Sequence, residues 1–263
     1  MEAASIVLEG TPNFRDLGGY ASTDGRIVRT GRVFRSGYLA KSTDDDLATL
    51  TRLGIRTVVD FRSKLGLETF GSDRLPDGVE YVWIPIGSVD ADPAIRHAFE
   101  TGRFSELPNL AAVNRVLIRE NAAEFGQLML LMADSPNLPL IFHCIGGKDR
   151  TGIAAALLLS ILGVPWSLVR SDYLASNAHF GASIETRLSR LNEEAGGKLD
   201  PSDLEAARRF FIVEGEDIDA VRDEILAVAG SIEAFVAKNM GVPTDAMESI
   251  RDELLEDPEI PET

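Results

Sequence analysis

At 263 residues, with 44% hydrophobic and 26% charged side chains, the chain can bury a sizeable core as one large domain or two small ones. Its formal net charge of −16 excludes a general affinity for nucleic acid or an anionic membrane surface, which need a positive face, but not a small basic pocket. A single cysteine, Cys144, excludes an intramolecular disulfide.

The N-terminal stretch MEAASIVLEG lacks the basic start and long apolar core of a signal peptide. The longest apolar run, residues 153–164, is too short to span a bilayer and carries Ser160 and Gly163. These features predict a cytoplasmic protein without stable membrane insertion; secretion without a cleaved signal would leave no trace here.

Residues 33–36 read as a short strand. Residues 43–53 read as a helix capped by Ser42 or Thr43, with Asp44, Asp45 and Asp46 in the first turn and Gly54 at its end. The β-branched run 57–61 and the segment 81–86 read as strands. Residues 110–132 carry helical spacing through Val113, Leu117, Phe125, Leu128 and Met132. A buried strand over 138–142 runs into His143-Cys144, and an Ala/Leu-rich helix follows over 150–162, ended by Gly163 and Pro165. This alternation predicts an α/β fold with a central, mainly parallel sheet flanked by helices. From Pro165 onward the pattern is helical, over 166–177, 184–194, 201–211, 218–240 and 243–255, with breaks at Gly181, Gly196-Gly197, Gly215 and Gly241. Continuous patterning predicts one unit: a core over 1–165, a helical cap over 166–255 and a frayed acidic tail over 256–263.

The chemistry concentrates in His143-Cys144-Ile145-Gly146-Gly147-Lys148-Asp149-Arg150-Thr151-Gly152. A strand ends, a Gly-rich loop turns and a helix begins. Backbone N–H groups of such a loop can converge on an anion, and the helix N-terminus adds positive potential. Gly146 and Gly147 admit backbone angles that a side chain forbids. Arg150 can place a planar guanidinium on two phosphate oxygens. The same field favours a thiolate at Cys144, a poised nucleophile for phosphoryl transfer. His143 can orient the loop through its ring nitrogens, and the Thr151 hydroxyl can bond the thiolate.

This pattern resembles the signature of the protein tyrosine phosphatase superfamily. With Lys148-Asp149 before Arg150 it is similar to a bacterial and fungal subgroup with tyrosine and phosphoinositide phosphatase activity. Asn13-Phe14-Arg15-Asp16-Leu17-Gly18-Gly19-Tyr20, Phe34-Arg35-Ser36-Gly37 and Val59-Asp60-Phe61-Arg62-Ser63 match further motifs of that subgroup, and the C-terminal helices resemble its lid. The resemblance implies a cysteine phosphatase fold, a catalytic Cys144 and Arg150, and phosphate binding by Ile145, Gly146, Gly147, Lys148, Thr151 and Gly152. It implies phosphorylated protein or phosphoinositide substrates, with inorganic phosphate or vanadate as ligands and no cofactor. Lysine at position 148 goes with acceptance of phosphoinositides in that family.

The general acid has two placements. Many relatives use an Asp from a mobile Trp-Pro-Asp loop, absent here; Asp90 or Asp92, after Trp83-Ile84-Pro85, could replace it. The alternative, favoured here, is Asp149 inside the phosphate loop. Arg15, Asp16, Asp60 and Arg62 are expected to form an ion-pair frame under the loop. His97 and His179 lack metal-ligand spacing, so no metal site is expected. Phe210-Phe211 either covers the pocket or packs in the core. Two rival readings stand: a phosphate-binding pseudophosphatase or interaction module, and an arsenate reductase or sulfur transferase, against which the lone cysteine argues.

Overall fold

A computed structural model describes residues 6–87 and 93–258 of the chain. Its main sheet has five strands: β1 (Arg15–Asp16), β3 (Val33–Ser36), β4 (Thr57–Asp60), β5 (Glu80–Trp83) and β6 (Leu140–His143). They lie in the order β1-β3-β6-β4-β5, parallel throughout except for β1, which runs antiparallel to β3. Every residue of β3, β4 and β6 is buried, as expected for parallel strands covered on both faces. The expected α/β architecture is thus present, with β6 in the central position. Cys144 leaves the carboxyl end of that strand, where open parallel sheets place their ligands.

The helices are α1 (Asp44–Arg52), α2 (Lys64–Phe70), α3 (Pro93–Thr101), α4 (Leu110–Glu120), α5 (Ala122–Met132), α6 (Asp149–Ile161), α7 (Trp166–Glu194), α8 (Pro201–Phe211), α9 (Gly215–Ala229), α10 (Ile232–Lys238) and α11 (Thr244–Leu254). α1 starts as its sequence dictates. The Thr43 hydroxyl accepts from the Asp46 N–H while the Asp46 carboxylate accepts from the Thr43 N–H, a reciprocal capping box. α6 is apolar around most of its circumference because it is enclosed. It touches β3 and β6 on one side and α4, α7, α9 and α10 on the others.

Several boundaries differ from the sequence reading. Residues 110–132 form two helices meeting at Asn121, whose amide groups bond the Gly87 N–H and the Leu117 carbonyl. The helix expected over 218–240 breaks at Gly230, which takes a left-handed cap (φ 80°), followed by a Ser231 N-cap. Conversely, α7 runs unbroken through Gly181. A helical glycine costs only about 1 kcal/mol. Packing on both halves outweighs it, Val169 and Tyr173 in the main core and Ile184 and Leu188 in a small cluster with Ala98, Phe104 and Ala207. The tail expected to fray from 256 is pinned at its start, where β7 (Leu255–Glu256) pairs antiparallel with β2 (Ile27–Val28).

Candidate active site

The loop after β6 is held from behind. The Tyr38 N–H donates to the Ile145 carbonyl (3.0 Å). Asn13 Nδ2 donates to the carbonyls of Gly146 (3.3 Å) and Gly147 (2.7 Å), and Arg35 Nη2 donates to that of Gly147 (2.8 Å). In a planar trans peptide the carbonyl and the next N–H point in opposite directions. Tying three successive carbonyls to the framework therefore turns the amides of Gly146, Gly147 and Lys148 away from it, as an anion cradle requires. Two glycines are obligatory. Gly147 has φ 67°, and a Cβ there would lie 2.4 Å from the Ser36 carbonyl. A Cβ on Gly37 would lie 2.8 Å from the Ile145 carbonyl oxygen.

Cys144, 2% exposed, lies on the floor of a pocket of about 600 Å³ that Asp149 and Arg150 also line. Arg150 Nη1 donates to the carbonyls of Phe61 (3.1 Å) and Ile86 (3.4 Å), which fix its guanidinium at the ends of β4 and β5. Lys148 Nζ donates to the Phe210 carbonyl (2.6 Å) at the end of α8, lies over the Phe210 ring and stands 3.5 Å from Asp149 Oδ1. That carboxylate oxygen is buried and has no hydrogen-bond partner among the described residues. Phe210 and Phe211 both line the pocket, in ring contact with Phe99 of α3. Thr151 Oγ1 is buried without a hydrogen-bond partner among the described residues, so the expected bond to Cys144 is not made. Gly152 closes the first turn of α6 through its N–H to the Lys148 carbonyl.

The four residues expected to frame the loop do not form one network. Arg15 pairs with Asp172 of α7 (Nε to Oδ1, 2.9 Å), and Arg35 pairs with the same carboxylate. Burial would raise the Asp172 carboxyl, but Arg35 and Arg15 outweigh it and hold it below the usual carboxylate range. Burial, reinforced by Arg15 alongside, pushes Arg35 down to about 10, which leaves it cationic at neutral pH. Across the loop, Arg62 pairs with Asp60 (2.7 Å) and Asp73 (2.9 Å). The Tyr81 hydroxyl donates to Asp60 (2.9 Å), and His143 Nε2 stands 2.8 Å from Asp73 Oδ2. His143 Nδ1 lies 3.0 Å from the Cys144 carbonyl oxygen.

Asp16 belongs to neither network, contrary to expectation. Its carboxylate accepts from the N–H groups of Gly18 (2.8 Å) and Gly31 (2.6 Å) and so braces a turn. Asp90 and Asp92 lie outside the described residues. Asp73 and Asp172 escaped the sequence reading, because lone acidic residues far from the loop carry no local signal. Asn13 and Arg35 stood inside quoted motifs without an assigned role. Asp60, Asp73 and His143 come close enough together to suggest a cation site, but the Arg62 guanidinium already occupies that place. No helix among the described residues is long and apolar enough to cross a membrane.

Comparison with known proteins places nearly the whole chain among phosphatases. The model of a tyrosine phosphatase family matches residues 6–256. The triple specificity protein phosphatase PtpB of Mycobacterium tuberculosis is 34% identical over 192 residues, covering 65% of this chain and 68% of its own. A protein of Cupriavidus necator that carries a tyrosine-protein phosphatase name is 36% identical over 204 residues, 71% of this chain and 68% of its own. The Siw14 catalytic core superposes with a TM-score of 0.35 at 10% identity over 85% of this chain and 95% of that one, too loosely to add to the assignment. The chain belongs to the tyrosine phosphatase family and is a phosphatase hydrolase.

Proposed function

We propose that the chain is a cysteine-dependent phosphomonoesterase that acts on phosphotyrosine through a phosphocysteine on Cys144. One observation carries this reading: Cys144 and Arg150 line one pocket, and three successive carbonyls of the loop between them, Ile145, Gly146 and Gly147, are tied to the framework. The thiolate attacks phosphorus in line with the ester oxygen while loop amides and Arg150 hold the equatorial oxygens. The P–O ester bond breaks, and the leaving oxygen takes a proton from Asp149, which lines the pocket and whose Oδ1 makes no hydrogen bond among the described residues. Water then attacks the phosphocysteine, Asp149 accepts its proton, and phosphate and thiolate are released.

The apolar walls, with Tyr38, Phe70 and Phe99, suit an aryl ester. Cys144→Ser is expected to abolish hydrolysis of p-nitrophenyl phosphate while preserving phosphate binding. Residual wild-type turnover in that variant would sink the proposal. Steady hydrolysis by the wild type, inhibited by vanadate, excludes the pseudophosphatase reading.

A phosphoinositide activity is a second reading. Lys148, Arg150, Arg187 and Arg190 line the same pocket against two carboxylates, Asp149 and Glu194, a net positive lining. Lys148→Ala is expected to lower turnover of phosphatidylinositol phosphates more than that of a phosphotyrosine peptide. Equal losses would make the lysine a general phosphate contact.

A further inference from the structure

We infer that Asp73 is a positioning residue of this reaction, holding the His143 ring as a doubly protonated imidazolium against the carbonyl of Cys144. The inference rests on the reading of Cys144 as nucleophile. It starts from donor and acceptor arithmetic. His143 Nδ1 faces a carbonyl oxygen and Nε2 faces a carboxylate, and both neighbours only accept hydrogen bonds. A neutral imidazole has one N–H and can answer only one of them. His143 Nε2 and Asp73 Oδ2 are buried, make no hydrogen bond of standard geometry among the described residues, and stand 2.8 Å apart as an ion pair, so each has the other as its nearest countercharge.

Charge balance gives the same answer independently. The ring is faced by Asp60 at the end of β4, by Arg62 beyond it and by Asp73 from the segment before β5. Tyr81 of β5 adds a neutral hydroxyl bonded to Asp60, and Cys144 follows on the ring's own strand. Two carboxylates against one guanidinium leave a buried negative charge, which is costly unless neutralised. A protonated His143 neutralises it. Burial opposes that proton, but Asp73 and then Asp60 outweigh burial and raise His143 above its ordinary value. The Leu39 N–H fixes the other Asp73 oxygen (2.9 Å), so the carboxylate is aimed rather than loose. A cation one residue from the sulfur favours the thiolate.

Asp73→Asn tests this with little change of shape. The new amide can donate to Nε2, so a neutral ring keeps its Nδ1–H on Cys144, and Asp60 remains balanced by Arg62. Two measurements on the full chain decide the matter. The first is ¹⁵N NMR of the His143 ring, assigned with His97 and His179 replaced. The second is the pH dependence of alkylation by iodoacetamide, which reports Cys144 alone because the chain has one cysteine. The wild type is expected to show two protonated ring nitrogens at neutral pH, and Asp73→Asn one. The alkylation midpoint of the variant is expected to move up by about one pH unit, a tenfold loss of thiolate below it, with the high-pH plateau unchanged. A purely structural role would change the plateau or the melting temperature and leave the midpoint. A singly protonated His143 in the wild type overturns the inference even if the variant fails to fold, and so do coincident alkylation profiles. Shifted profiles in a protein that does not hydrolyse aryl phosphates would uphold the role of Asp73 and refute the proposed activity.

Discussion

Two buried ion networks flank the candidate phosphate loop, and they carry opposite surpluses. On the β1 and β3 side, one carboxylate, Asp172, serves two guanidinium groups, Arg15 and Arg35, and Arg35 Nη2 donates to the Gly147 carbonyl. On the β4 and β5 side, two carboxylates share one guanidinium, Arg62, and the balance falls to His143 beside Cys144. In both, the group left over is a cation that touches the loop backbone. A strongly acidic chain can thus build a local anion site without a basic surface.

The largest effect expected from breaking this symmetry comes from Asp172→Ala. It leaves Arg35 buried without its counter-ion and is expected to cost about 3–5 kcal/mol of stability by denaturant unfolding. Asp73→Asn, which keeps its network neutral, is expected to cost far less. Equal losses at the two sites would refute the difference in charge balance. Gly147→Ala comes next, with about 2–4 kcal/mol expected from a left-handed backbone and a Cβ pressed against the Ser36 carbonyl, read as a lower melting temperature.

The pH dependence of stability separates the networks more finely. The folded-state value of Asp172 is depressed, so its contribution is present above the unfolded value of about 4 and lost as pH falls through the folded one. That of His143 is raised, so its contribution is fully present below about 6.5 and lost as pH rises through the folded value. Melting temperatures across this range are expected to fall at both ends, and Asp73→Asn is expected to remove the alkaline fall. Survival of that fall in the variant would place its origin elsewhere. The smallest effect is expected at Asp16→Asn. It loosens a turn between Gly18 and Gly31 and should leave kcat unchanged in an aryl phosphatase assay.

The strand, loop and helix around Cys144 were legible because their residues are contiguous and each carries a local signal. The β-branched run of β4 and the capped start of α1 were legible for the same reason. β2 and β7, two residues each, exist only by pairing across the whole chain, and no local pattern encodes them. The continuity of α7 through Gly181 depends on clusters at both of its ends. The supports of the site were hidden for a related reason. Asp172 looks like an ordinary helical acid and Asp73 like a loop acid until folding brings them to Arg35 and His143. Asp16 illustrates the converse: it stands in a motif beside Arg15 yet serves a turn.

The most direct test of the proposed chemistry is acid quench of the wild-type protein during turnover of an aryl phosphate, followed by mass spectrometry of the Cys144 peptide. A phosphoryl group on Cys144, absent from Cys144→Ser, is the result expected. Sustained turnover with no phosphorylated cysteine, or with the phosphoryl group on another residue, would contradict it.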